Sequence, residues 1–137
     1  MARREGDDNL LLFQDHLSDS ALGVYYRMPT TKERIAYRIE QIQKKNGKEA
    51  NPTGIRIKHG LKILVGTRGD DFQLKGPDGE YIALTNKTEN WKDHFERIAS
   101  DVAEYLAIRV FELSLSAAVK EDEPLDPEEE GETPDQD

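Results

Sequence analysis

The chain contains no cysteine, which removes disulfide staples and thiolate metal sites together. It is also poor in apolar residues, 36% against 34% charged. That balance is low for a fully packed domain, so part of the chain is expected to stay outside any core. No apolar run approaches the roughly 20 residues needed to cross a bilayer. Leu10-Leu11-Leu12-Phe13, preceded by Arg3 and Arg4, is too short for the core of a secretory leader. No membrane segment and a cytoplasmic setting are therefore expected (the host cytoplasm, should the chain be phage-encoded). The three histidines, His16, His59 and His94, fall in different expected elements. Asp93-His94-Phe95-Glu96 does not gather ligands on one helical face, so no metal is expected. No cofactor is expected either.

A second absence lies in the charge pattern. Residues 121–137 hold ten acids and no base, whereas Arg27–Arg68 holds eleven bases and three acids, a local charge of +8. The net −9 of the chain thus hides a basic middle and an acidic end. With Leu125 as its one large apolar residue, the tail cannot bury enough surface to offset its ordering entropy. We expect disorder over 1–8 and 120–137 and a single globular domain over 9–119, long enough for a modest core.

Several elements announce themselves. Leu22–Met28 is a β-prone run closed by Pro29. Thr30 and Glu33 stand at capping-box spacing before Ile35, Ile39 and Ile42 at i, i+4, i+7, which predicts a helix over 31–45 with the isoleucines on its buried face. Lys44-Lys45 and Asn46-Gly47 form its stop signal. Ile55–Val65 alternates like a strand and also carries a helical stripe. Asn51-Pro52, a preferred cap followed by a preferred first residue, favours the helix. Gly76-Pro77-Asp78-Gly79 predicts a turn between Phe72–Leu74 and Tyr81–Leu84, hence a β-hairpin. A last helix, capped by Asn90 and reaching about Ala117, is expected to bury Trp91, Phe95, Ile98, Val102, Leu106, Val110 and Leu113. The expected class is α+β, mainly helical: three helices, a short N-terminal strand and a β-hairpin, with the acidic tail disordered.

Catalytic patterns are weak. Ser18, Ser20, Ser100, Ser114 and Ser116 sit in no nucleophile elbow. Gly66-Thr67-Arg68-Gly69-Asp70-Asp71 lacks the Lys-Ser/Thr of a phosphate-binding loop and reads as a helix stop followed by a surface turn. No constellation meets the geometric demands of an active site, so a non-enzymatic role is expected. Arg34, Arg38 and Lys45 line up on one face of the 31–45 helix, opposite the isoleucines. With Tyr25 and Tyr26 they are the candidate partner-binding residues. Direct nucleic-acid binding by that stripe is disfavoured, because the body carries almost no net charge and the acidic tail competes for the stripe. A nucleic-acid-associated or nucleic-acid-mimicking regulator remains the alternative.

One ordered pattern reaches further. Tyr25-Tyr26-Arg27-Met28-Pro29-Thr30-Thr31-Lys32-Glu33-Arg34 joins an extended segment to an amphipathic helix, and Gly60-Leu61-Lys62-Ile63-Leu64-Val65-Gly66 follows. Asp78-Gly79-Glu80-Tyr81-Ile82 and an Asn-Trp-led helix closing on Val110-Phe111-Glu112 complete it. Over residues 22–113 this order resembles small phage and prophage proteins of the tail assembly chaperone type. The resemblance implies a protein that binds the tape measure or another long helical tail protein, and that self-associates. A mixed-charge domain with a soluble acidic end suits such a contact.

Overall fold

The computed structural model describes residues 3–4, 6–43 and 51–113. Lys45 and the acidic segment 120–137 lie outside the described residues.

Strand β1, Asp8–Asp15, pairs antiparallel with β2, Ser20–Arg27, in an unbroken register from Asp8↔Arg27 to Asp15↔Ser20. The turn between them is held by Asp15, whose carboxylate accepts from Ser18 N at 3.1 Å and from Ser18 Oγ at 2.6 Å. Asp19 there takes a left-handed φ of 55°, tolerable for a short polar side chain. The side-chain hydrogen bond from Ser18, aided by the backbone bonds from Ser18 and Leu17 and opposed by desolvation, holds the Asp15 carboxyl below its usual range.

Pro29 ends β2, and Thr30 opens helix α1, Thr31–Ile42, through a complete capping box. Helix α2, Pro52–Ile63, starts on Asn51, whose side chain accepts from Gly54 N, and passes directly into strand β3, Leu64–Thr67. The ambiguity over Ile55–Val65 is thereby resolved: the segment is helix up to Ile63 and strand from Leu64. β3 joins β2 antiparallel across a register shift at Tyr25/Tyr26, giving the sheet order β1-β2-β3. Strands β4, Gln73–Lys75, and β5, Tyr81–Ala83, form the expected hairpin as a separate two-stranded sheet. Thr67 Oγ1 ties it to β3 by donating to Leu84 O at 2.7 Å. Helix α3, Trp91–Ala107, runs into a π-helical turn, Ile108–Glu112. Asn90 precedes α3 with a left-handed φ of 56° and supplies no side-chain cap. Its carbonyl instead accepts from Asp93 N and His94 N.

The fold is α+β, with three helices and two small sheets among the described residues. Two strands exceed expectation. Leu10–Phe13, read only as too short for a leader, is the middle of β1, and β3 emerges from the end of α2. The core joins Leu22 and Val24 of β2, Ile63 and Leu64, Phe72, Leu84, and the α3 residues Phe95, Ala99, Val102, Ala103 and Leu106. Ile98 and Leu113, expected inside, are exposed. For Ile98 the reason lies in how closely the helices meet. A Cβ on Gly60 of α2 would stand 2.1 Å from the carbonyl oxygen of Ala103, so α3 presents alanines, not Ile98, to its neighbour.

The Gly66–Asp71 segment is structural. Gly66 belongs to β3 rather than stopping a helix. Asp71 Oδ2 accepts from Gly23 N at 2.9 Å and from Arg68 Nε at 2.9 Å, while Arg68 Nη2 reaches Ala21 O at 3.1 Å. No helix among the described residues is long and apolar enough to cross a membrane.

Candidate functional site

α1 is mounted the opposite way round from the expectation. Tyr37 is its buried residue, while Ile35, Ile39 and Ile42 are 55%, 49% and 78% exposed. At about 100° per residue, these isoleucines form one outward stripe, with exposed Lys32 on one side and exposed Arg38 on the other.

The inward face of α1 is held by polar and aromatic contacts. At its N-terminus Arg27 grips Glu33 through two parallel bonds, Nη1 to Oε1 at 2.9 Å and Nη2 to Oε2 at 2.8 Å, and Glu33 Oε1 also accepts from Thr30 N at 2.9 Å. The Arg27 bond, aided by that backbone bond and opposed by desolvation, pulls the Glu33 carboxyl down to about 2. Mid-helix, Glu40 meets Lys58 Nζ at 2.9 Å and His59 Nε2 at 3.2 Å, both on α2. Tyr37 stacks on Phe111 with ring centroids 4.5 Å apart, and His59 stands edge-on to Tyr37 at 5.2 Å. The Tyr37 hydroxyl donates to Glu112, which Arg56 also holds through Nε at 3.0 Å. Burial, then the bond to Glu112, pushes the Tyr37 phenol up to about 12. Burial alone would raise Glu112, but the Arg56 and Tyr37 bonds outweigh it and keep its carboxyl below the usual range.

Beside this cluster lies an open cleft of about 390 Å³, bordered by Arg34, Tyr37, Arg38, Gln41, Arg56 and Glu112. Arg34 turns its guanidinium to Val110 O at 3.4 Å, and Arg56 is shared between Glu112 and Glu104. His59 Nδ1 and Gln41 Nε2 have no hydrogen-bond partner among the described residues. His59 is 1% exposed, so its pairing with Glu40 acts as a tie between helices and does not meet a solute. Among the described residues no group of three or more His, Asp or Glu is placed to hold a metal ion.

The candidate residues named from sequence are partly brought together. Arg34 and Arg38 border the same cleft, with Arg38 exposed and Arg34 half-buried. Tyr25 and Tyr26 are not a unit: Tyr25 points out with Leu10, its strand partner, while Tyr26 packs against the core. The residues missed are Tyr37, Phe111 and Glu112, which seat the helix, and the isoleucines as surface. Arg34, Tyr37 and Gln41 share i, i+3, i+7 spacing, but beside three isoleucines that stripe reads as the wet face. No protein-family model, curated protein or solved structure matches the chain.

Proposed function

We propose that this chain is a non-enzymatic binding module that docks an amphipathic helix of another protein along α1. The observation that carries the reading is the outward stripe Ile35-Ile39-Ile42 flanked by Lys32 and Arg38. A folded domain gains nothing by mounting its most apolar helical stripe towards water, and burying each such side chain is worth about 1.5–3 kcal/mol. Anchors at i, i+4 and i+7 suit a second helix laid along the stripe. The flanking cations favour a partner whose apolar stripe is edged by Glu or Asp. The resemblance to tail assembly chaperones names the process such a contact would serve, the handling of a long helical tail protein before assembly.

The test uses a designed amphipathic helical peptide with a leucine stripe and glutamate flanks, titrated calorimetrically into the full chain. The wild type should bind, and Ile35→Ser/Ile39→Ser should weaken binding more than about tenfold, as expected for losing two buried aliphatic anchors. Equal binding by wild type and variant, or by a lysine-flanked peptide, refutes the site. Recovery of an identified helix-rich tail protein with the chain from a phage lysate would support the assembly role. A salt-sensitive shift of labelled DNA instead would favour the nucleic-acid alternative.

A further inference from the structure

The outer edge of β1 is a second surface, sharing no residue with the α1 stripe. In the order β1-β2-β3, β1 lies at the margin, and among the described residues no strand pairs with its outer side. Eight residues long, it extends roughly 26 Å at 3.3 Å per residue. Every second backbone N–H and C=O along it points away from β2. Natural sheets usually blunt such edges with proline, lysine or a bulge. β1 has no proline or lysine, and its register with β2 is unshifted throughout. Its charges, Asp8 and Asp15, stand at the two ends. Leu10 and Leu12 are 44% and 53% exposed on the open face of the sheet, and even on the core side Leu11 and Phe13 are only half-buried.

We infer that β1 pairs antiparallel with β1 of a second copy of this chain, joining two three-stranded sheets into one of six strands about a two-fold axis at Leu11. The occupant follows from self-complementarity. A two-fold perpendicular to the sheet at Leu11 keeps each residue opposite one that points to the same face. Leu10 then meets Leu12 of the second copy, and Leu12 meets its Leu10, giving a cluster of four leucines on the open face. Leu11 faces itself. Asp8 comes opposite Gln14, and acids meet only at the two ends, where Asp15 falls opposite Asp7, itself paired with Arg4 at 3.8 Å. Pairing along seven residues of each strand, Asp8 to Gln14, covers on the order of 1,000 Å² in total, near the lower bound for a specific interface, and main-chain hydrogen bonds satisfy groups that otherwise bond only to water. Leu10 and Leu12 lie side by side over Gly23, where a Cβ would stand 3.0 Å from Leu12 Cδ2 and 3.1 Å from Leu10 Cδ1. An isologous interface of this kind closes on itself and stops at two copies.

The test takes advantage of the absence of cysteine. Sedimentation velocity of the full chain should show a dimer at high micromolar concentration. Leu10→Lys/Leu12→Lys should be monomeric with unchanged far-ultraviolet circular dichroism, since both side chains lie outside the core. Leu11→Cys should form an intermolecular disulfide on mild oxidation, because only a residue on the axis meets its own copy at disulfide distance. Leu17→Cys, exposed on the adjacent turn, should not. A monomeric wild type overturns the inference. So does a dimer in which Leu11→Cys fails to cross-link, or in which Leu17→Cys cross-links as readily.

Discussion

Gly60→Ala is the sharpest perturbation of the scaffold. In an exposed helix this change would stabilise by about 0.5–1 kcal/mol, because alanine loses less backbone entropy on folding. At position 60 the added Cβ would lie 2.1 Å from Ala103 O and 2.9 Å from Ala103 C. Both are backbone atoms of a helix and cannot swing aside as a side-chain end can. Relief requires α2 to move away from α3 by more than 1 Å, loosening Ile63, Ala103 and Leu106, all at most 1% exposed. Overpacking of this kind costs about 1–3 kcal/mol or more, which outweighs the propensity gain. We expect a net loss of about 2 kcal/mol, a fall in Tm on the order of 10 °C for a domain of this size. Chemical denaturation and calorimetry of the full chain would measure it. A variant as stable as the wild type would refute the close α2–α3 approach, and with it the explanation for the alanines on α3.

Three further expectations follow from the same contacts. The Glu33 carboxyl is depressed in the folded state, so its pairing with Arg27 stabilises fully above the unfolded carboxylate pKa and is lost as pH falls from about 4.5 towards about 2. With Arg27 half-exposed and the pair screened, we expect Glu33→Gln to cost about 1–2 kcal/mol at pH 7, and the difference from wild type to shrink across that acid window in urea titrations. Ile39→Ser should leave Tm nearly unchanged, whereas Leu106→Ala, at a fully buried site, should cost about 2–5 kcal/mol; an equal loss in both would place Ile39 inside. Native-state hydrogen exchange should find α1 amides opening well before those of α2 and α3, because Tyr37 is the one buried residue of α1, and uniform protection would contradict this.

Local chemistry was legible wherever a short-range signal had one structural meaning. Thr30 with Glu33 made the capping box, Asn51-Pro52 started α2, and Gly76–Gly79 turned the hairpin. β1 was hidden because Leu10–Phe13 is a continuous apolar run. Its alternation appears only once β2 defines an inner and an outer face. Asn90 looked like a side-chain cap, yet its left-handed backbone does the capping through its carbonyl. The buried face of α3 was half right: Phe95, Val102, Leu106 and Val110 go inside, but the approach of Gly60 replaces Ile98 with Ala99 and Ala103. The candidate cleft was legible through Arg34 and Arg38. The rest depends on Phe111, Glu112 and Arg56, which no spacing along the chain connects to Tyr37.

The orientation of α1 is the deepest disagreement, and its energetics point to function. Two ways of seating this helix compete. One buries three isoleucines and exposes Tyr37. The other, observed, buries Tyr37 and exposes the isoleucines. The first would gain more apolar burial, at about 25 cal/mol per Å², but it would forfeit the Tyr37–Phe111 stack and the Tyr37 and Arg56 bonds to Glu112. It would also turn Glu40 away from Lys58 and His59. The observed seat rests on directional bonds, each worth about 1 kcal/mol net and up to about 3 where a charge takes part. Such bonds fix α1 in one rotational setting, whereas an aliphatic seam tolerates sliding. A helix fixed by its polar face, with its apolar face turned outward, is the arrangement that the proposed docking contact requires, since its hydrophobic gain would be realised only on binding.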